Sequence, residues 1–215
     1  MKIDVARIVG AVTREIRDAM HEGKRARVLV ASRRYDTTVE DLWDALTNAE
    51  RINRWFLPVS GELRLGGKYQ LEGNASGTIT ACEPPRHLAL TWSMHGQLSW
   101  VDVKLAQGPA RSANLVLEHT AHVPDDMWNQ FGPGAVGVGW DQLFLGLDRH
   151  FGTRGAARDP RAAMAWLASD EGRTFVVRAS DAWADASIAA GTDAASARAA
   201  AARSAGFYLP APAAQ

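Results

Sequence analysis

The chain has one cysteine, no long apolar run and no net charge, and each shortage narrows what it can be. Cys82 stands alone among 215 residues, so no disulfide can close within the chain and a reducing compartment is expected. No run of about 18 apolar residues occurs, so no membrane-spanning helix is expected. Asp4, Arg7 and Arg14 break the apolar stretch that a secretory signal would need. A cytoplasmic protein is the resulting expectation. Glycine-rich "LGGKY" and "GNASG" are not followed by a helical pattern, so they read as turns and not as phosphate cradles. No nucleotide loop of Walker form is present.

Charge is balanced overall but unevenly spread. Residues 1–35 hold nine Lys/Arg against four Asp/Glu, residues 36–151 eight against fourteen, and residues 152–215 seven against six. The basic start contains no run interleaved with aromatics, so a nucleic-acid partner is not expected. His119 and His122 lie three apart. On a strand that spacing puts them on opposite faces, which does not suit a shared metal. Neither a metal nor an organic cofactor is implied.

What is present is a core-forming composition, 47% apolar with eight tryptophans. Three regions are expected: an N-terminal arm over 1–25, a principal domain over 26–151 and a helical extension over 152–215. In the arm, Val5, Ile8, Val9, Val12, Ile16 and Ala19 recur at helical spacing, yet the segment is rich in β-branched residues and "HEGK" has hairpin-turn chemistry. Helix is the preferred reading there, with a hairpin arm as the alternative. Residues 26–35 read as a strand. Thr38 with Asp41 has capping-box form, and Val39, Leu42, Trp43 and Leu46 make one helical stripe. Thr47 with Glu50 repeats the pattern, so a second short helix is expected from Asn48 until Pro58 stops it.

From Gly61 to Val123, short apolar alternations are separated by turn residues, as in an antiparallel meander. Leu88, Leu90 and Trp92 share one face of their strand, and Leu115, Leu117 and His119 share one face of another. Trp140, Leu143, Phe144, Leu147 and Phe151 then give a long helical stripe. A sheet with one apolar face needs a cover, and this helix supplies it. Beyond Gly152 the chain is alanine-rich. Asp159-Pro160 and Ser169 are helix starts, and Trp166, Phe175, Trp183, Phe207 and Tyr208 demand burial, against the main domain or a second subunit.

A strand, then "DLWDALTNAERINRWFLP", "GELRLGGKYQLEGNASGTI", "EPPRHLALTW", "LVLEH" and "GVGWDQLFLGLDRHF" follow in one order over residues 26–151. That order resembles the START-like superfamily called SRPBCC, and within it the family of activators of the ninety-kilodalton heat-shock protein ATPase. The resemblance implies an α+β helix-grip fold, a curved antiparallel sheet around a long C-terminal helix. It implies no shared catalytic signature, because the superfamily includes lipid carriers, hormone receptors, cyclases and co-chaperones.

The residues themselves offer little acid–base chemistry. His119 is the single candidate acid or base, in phase with the covered face. His87 and His95 lie near turns, and His150 sits where a helix C-terminus favours a cation. Asp125-Asp126 suits helix capping, and Cys82 has no base beside it. The aromatics carry more. Ile52, Trp55, Phe56, Tyr69, Trp92, Trp100, His119, Trp140 and Phe144 are the candidate ligand-binding set. Ile52, Trp55 and Phe56 would form one wall of an entrance, with Trp140 and Phe144 as its floor. Large rings can line such a space or fill it, and both readings stand open. The preferred function is non-catalytic binding of an apolar small molecule. The alternatives are a protein-interaction or co-chaperone-like stress-response role, and a polyketide cyclase/aromatase-like enzyme using His119. A homodimer through the extension is a further expectation.

Overall fold

A short helix from Val5 is followed at once by a hairpin. A computed structural model describes residues 3–209, so Met1, Lys2 and residues 210–215 of the expected arm and extension lie outside the described residues. Helix α1 (Val5–Gly10) is capped by Asp4, whose carboxylate accepts the Arg7 N–H at 3.0 Å. The helical spacing ends there. Residues Thr13–His21 form strand β1, which turns through Glu22 and Gly23, both at positive φ, into β2 (Lys24–Tyr35). The preferred helix over the arm is therefore corrected beyond Gly10. Its two-residue alternation was hidden because a charged residue, Arg14, occupies an inward position between Val12 and Ile16.

Helices α2 (Val39–Thr47) and α3 (Ala49–Trp55) follow as expected. Thr38 caps the first by accepting the Asp41 N–H. The second cap is Asn48, one residue later than the spacing suggested. Its Oδ1 accepts the Glu50 N–H at 3.0 Å, while the Thr47 hydroxyl donates to the Trp43 carbonyl instead. Strands β3 (Val59–Gly61), β4 (Lys68–Leu71), β5 (Ser76–Glu83), β6 (His87–Met94), β7 (Gln97–Gln107) and β8 (Ala113–Ala121) complete one antiparallel sheet. Its order is β1-β2-β8-β7-β6-β5-β4-β3. The register Leu90↔Val101↔His119↔Leu29 runs one row of side chains across four strands on the inner face.

Helix α4 (Asp125–Phe131) carries Asp125 and Asp126 in its first turn, where carboxylates favour the positive end of the helix. The long cover is α5 (Gly134–Gly152). The chain is thus an α+β protein with the helix-grip architecture. The extension adds α6 (Pro160–Ala168), α7 (Asp170–Ala189) and α8 (Ala194–Tyr208). Asp159 and Ser169 cap α6 and α7 through backbone N–H groups.

The extension packs on its own chain. Helix α7 lies against α5, α1 and β1, and buries Phe175, Val176 and Trp183 completely. The Trp183 indole donates to Asp141 Oδ2 at 2.8 Å, and the Arg14 guanidinium meets the same carboxylate at 2.6 Å. Both charged side chains are almost fully buried. Burial pushes the Asp141 carboxyl above the ordinary range, and Arg14 and Trp183 oppose that push. Close approach requires Gly137, since a Cβ there would sit 2.3 Å from the Trp183 ring. Gly137→Ala is expected to lower the unfolding free energy by about 2 kcal/mol through overpacking, despite the higher helix propensity of alanine. Equilibrium denaturation checks this, and a stabilised variant would mean that α7 is not held against α5.

Candidate functional site

The packed core does not fill the whole space between sheet and α5. At the end of the sheet nearest the β6–β7 turn, a groove of about 940 Å³ opens between the strands and α5. Leu29, Trp92, Ser99 and His119 line it from the sheet, and Trp140, Leu143 and Gly146 from α5. Trp128 of α4 and Trp166 of α6 stand over its sides. Trp128 is held by Arg27, whose guanidinium carbon lies 4.9 Å from the ring centroid, within cation–π range.

The Trp-Phe pair after α3 belongs to both core and groove. The Trp55 indole donates to the Ala45 carbonyl at 3.0 Å, so the ring is anchored as well as buried. Phe56 stacks on it at 5.4 Å between centroids, and both rings line the groove. Gly146 lets α5 approach α3, because a Cβ there would lie 3.0 Å from the Trp55 carbonyl oxygen.

Of the nine candidate ligand-binding residues, Trp55, Phe56, Trp92, His119 and Trp140 line this space. The other four do not. Ile52 is buried under α3, and Tyr69 is buried with its hydroxyl donating to the Thr91 carbonyl. Phe144 is fully buried, not part of the floor with Trp140. Helix α5 is apolar on more than one face because it contacts both the sheet and α7, so a single stripe could not tell which ring faces which partner. Trp100 is on the opposite face of the sheet. It pairs across Thr91 and Thr120, out of phase with Trp92 and His119, and packs against His21 at 3.9 Å and His122 at 5.2 Å between centroids.

At the floor, Trp92 and Trp140 lie 5.1 Å apart. Between them and the sheet, His119 is fixed by a chain of hydrogen bonds. The Trp140 indole N–H donates to His119 Nδ1 at 3.0 Å. An indole can only donate, so Nδ1 carries no proton. Ser99 Oγ donates to the Trp92 carbonyl at 3.0 Å, and therefore accepts from His119 Nε2–H at 2.8 Å. The ring is neutral and in one tautomer. Burial pushes its pKa down to about 4. Its only basic lone pair is covered by a donor, so it is unsuited to take a proton from a bound molecule.

His150 departs from the expected cationic role at a helix end. It is buried, and Arg51 donates to its Nε2 at 3.2 Å. Burial and the Arg51 charge hold its pKa below the ordinary value. The ring proton is then on Nδ1, which has no hydrogen-bond partner among the described residues. His150 borders the groove and also a smaller hollow of about 430 Å³. His87 is not merely exposed: it meets Asp102 at 2.7 Å, which raises its pKa. His95 is exposed in the β6–β7 turn. Among the described residues no cluster of three or more His, Cys, Asp or Glu could hold a metal.

Residues that sequence reasoning missed include Leu29, Trp128, Leu143 and Trp166, together with Arg54, Arg149 and Arg158 at one end. Leu29 shares the inward parity of β2, and Leu143 is in the α5 stripe, so both carried a readable signal. Trp128 and the arginines carried none, because their placement depends on how connectors fold over the sheet.

The family model of the Activator of Hsp90 ATPase homolog 1-like protein matches residues 36–152. The crystal structure of CalU16 from Micromonospora echinospora is similar at 33% identity, covering 82% of this chain and 98% of that one, with a TM-score of 0.62. Its solution NMR structure, also at 33% identity, covers 85% and 97% with a TM-score of 0.64. Protein MLL2253 from Mesorhizobium loti is 24% identical over 59% of this chain and 98% of that one, with a TM-score of 0.53. The last is a likeness of fold alone. No curated protein matches the chain. Among the described residues no helix is long and apolar enough to cross a membrane.

Proposed function

From the premise that the chain belongs to the Activator of Hsp90 ATPase homolog 1-like family, within the START-like superfamily, we propose that it binds an apolar small molecule in the groove between sheet and α5 and performs no chemistry on it. The observation that carries this reading is the groove itself, about 940 Å³ and lined by Trp55, Phe56, Trp92 and Trp140. Ligand sites are typically concave, mostly apolar and a few hundred Å³ or more. The tail of CalU16-like similarity supports treating the extension as part of the working unit, since that likeness reaches well beyond the residues matched by the family model. In this reading residues 26–151 are the binding body. Residues 1–25 and 152–215 buttress it, and the protein acts in the cytoplasm, where a lone half-buried Cys82 stays reduced.

The rival readings find less support. A cyclase-like reaction through His119 lacks a free basic nitrogen. A co-chaperone-like docking patch at Trp55–Leu57 lacks exposure, because Trp55 is buried and Phe56 and Leu57 are half-buried. A dimer through the extension would have to use scattered exposed residues such as Met164, Val177 and Phe207: Phe207 is exposed, against the burial expected of it, whereas Phe175 and Trp183 are buried in cis and Trp166 and Tyr208 are half-buried there.

Titration with the neutral arylamine N-phenyl-1-naphthylamine tests the proposal. Saturable fluorescence enhancement at one equivalent, quenched tryptophan emission and a Kd in the micromolar range are expected. Ala121→Trp, which fills the groove from the end of β8, is expected to weaken binding by about 10-fold or more, a loss of about 1.4 kcal/mol. Unsaturable binding, or binding indifferent to Ala121→Trp, would reject the reading.

A further inference from the structure

Resting on that reading, we propose that the bound molecule is an acidic amphiphile: an apolar body whose single carboxylate- or sulfonate-type group docks at the α3 end of the groove against Arg54, Arg149 and Arg158. The charge along the groove is polarised. Among the described residues, its only Asp, Glu, Lys or Arg side chains are these three arginines and Asp159, and Asp159 is engaged as the cap of α6, accepting the Arg161 and Ala162 N–H groups at 2.9 and 3.3 Å. None of the three arginines has a carboxylate within ion-pair distance among the described residues. The contrast with their neighbour Arg51, which meets both Asp41 at 2.7 Å and Asp44 at 2.9 Å, is direct.

What Arg54 and Arg158 bind is neutral, and it ties the two segments together. Arg54 donates to the Gly155 carbonyl at 3.4 Å and Arg158 to the Phe56 carbonyl at 3.2 Å. The Arg158 backbone N–H reaches the Arg54 carbonyl at 2.6 Å. A guanidinium has five N–H donors, so most have no partner among the described residues. Two of the three positions have a simpler explanation available. Arg54 and Arg149 lie in the last turns of α3 and α5, where the helix dipole favours a cation. Arg158 lies in the loop before α6, and no dipole accounts for it. The buried, unpartnered Nδ1–H of His150, on a ring that lines this same groove, is an independent donor in want of an acceptor. Buried donors without partners are costly. An anion seated here would offer acceptors to the three guanidinium groups, beside the His150 ring, while its body lies on Trp55, Phe56 and Trp140.

The experiment compares two probes that share an arylamine body. 1-Anilinonaphthalene-8-sulfonate carries the anion and N-phenyl-1-naphthylamine does not. The sulfonate is expected to bind more tightly at low salt, and its affinity alone should fall as salt is raised. The triple variant Arg54→Gln/Arg149→Gln/Arg158→Gln, all at exposed positions, is expected to weaken the sulfonate by about 10-fold, or about 1.4 kcal/mol, and to leave the neutral probe within about twofold. Circular dichroism verifies that the variant is folded. Dodecanoate should likewise displace the neutral probe better than dodecanol from the unmodified protein, and lose that advantage in the variant. Equal effects on the two probes, or none on the sulfonate, overturn the inference while leaving apolar binding intact. Failure of both probes to bind the unmodified protein overturns the inference and the proposed function together.

Discussion

Replacing Asp141 by alanine is expected to reduce the unfolding free energy by about 3–5 kcal/mol, the usual result of stranding one member of a buried ion pair. The carboxylate is 2% exposed and accepts from Arg14 Nε at 3.3 Å, Arg14 Nη2 at 2.6 Å and Trp183 Nε1 at 2.8 Å. Without it, the Arg14 side chain, 5% exposed, would keep, among the described residues, only the Val9 and Val12 carbonyls as partners for its Nη1. A guanidinium cannot escape by losing its proton. The loss should appear in denaturant-induced unfolding as a lower midpoint with an unchanged slope. Arg14→Met combined with Asp141→Leu is expected to recover most of it, because an apolar pair of similar volume avoids the desolvation of both charges. A cost below about 1 kcal/mol for Asp141→Ala would mean that this pair does not hold β1, α5 and α7 together.

Acidification is expected to destabilise the protein through His119 by roughly 3 kcal/mol between pH 6.5 and 4. The ring's pKa falls from the ordinary 6.5 to about 4 on folding, because burial disfavours the imidazolium. Over that window the unfolded chain binds the proton more readily than the folded one, so stability falls as pH falls and the loss is complete only below the folded pKa. His150, also lowered by burial, adds in the same direction, and His87, raised by Asp102, opposes it. The His119 share is isolated by comparison with His119→Gln, whose amide can accept from Trp140 and donate to Ser99. Stability measured across this window should depend less steeply on pH in that variant. Identical pH profiles would show that His119 is not held neutral by its surroundings.

The meander from Gly61 to Val123 was legible because turn chemistry is local: glycines and prolines between strands report where the chain must reverse. The Thr38 cap and the stop at Pro58 were legible for the same reason. The Asn48 cap was off by one residue, since Thr47 and Asn48 are both competent caps and only tertiary placement chooses. Strand β1 was misread because Arg14 broke its alternation. The reason for an inward arginine is Asp141, 127 positions away, which no local window contains. Trp100 is a different kind of miss. Its parity against Val101 and Val103 is readable in the sequence and places it on the face opposite theirs, so phase and not aromatic character decides its side of the sheet. For the groove, residue types could name the wall but not its spacing. Whether rings line or fill a space depends on separations set by the packing of α5 against α3 and α7.

The lock at Asp141 has an evolutionary meaning. The carboxylate sits inside the span that the family model matches, 36–152, but its two donors come from outside that span, one on either side. Position 14 cannot drift to a neutral residue without a matching change at 141, and position 183 must accommodate both. Recombination that swaps either flank as a cassette would inherit a mismatched charge, so a lineage carrying this lock should diverge as a single heritable block.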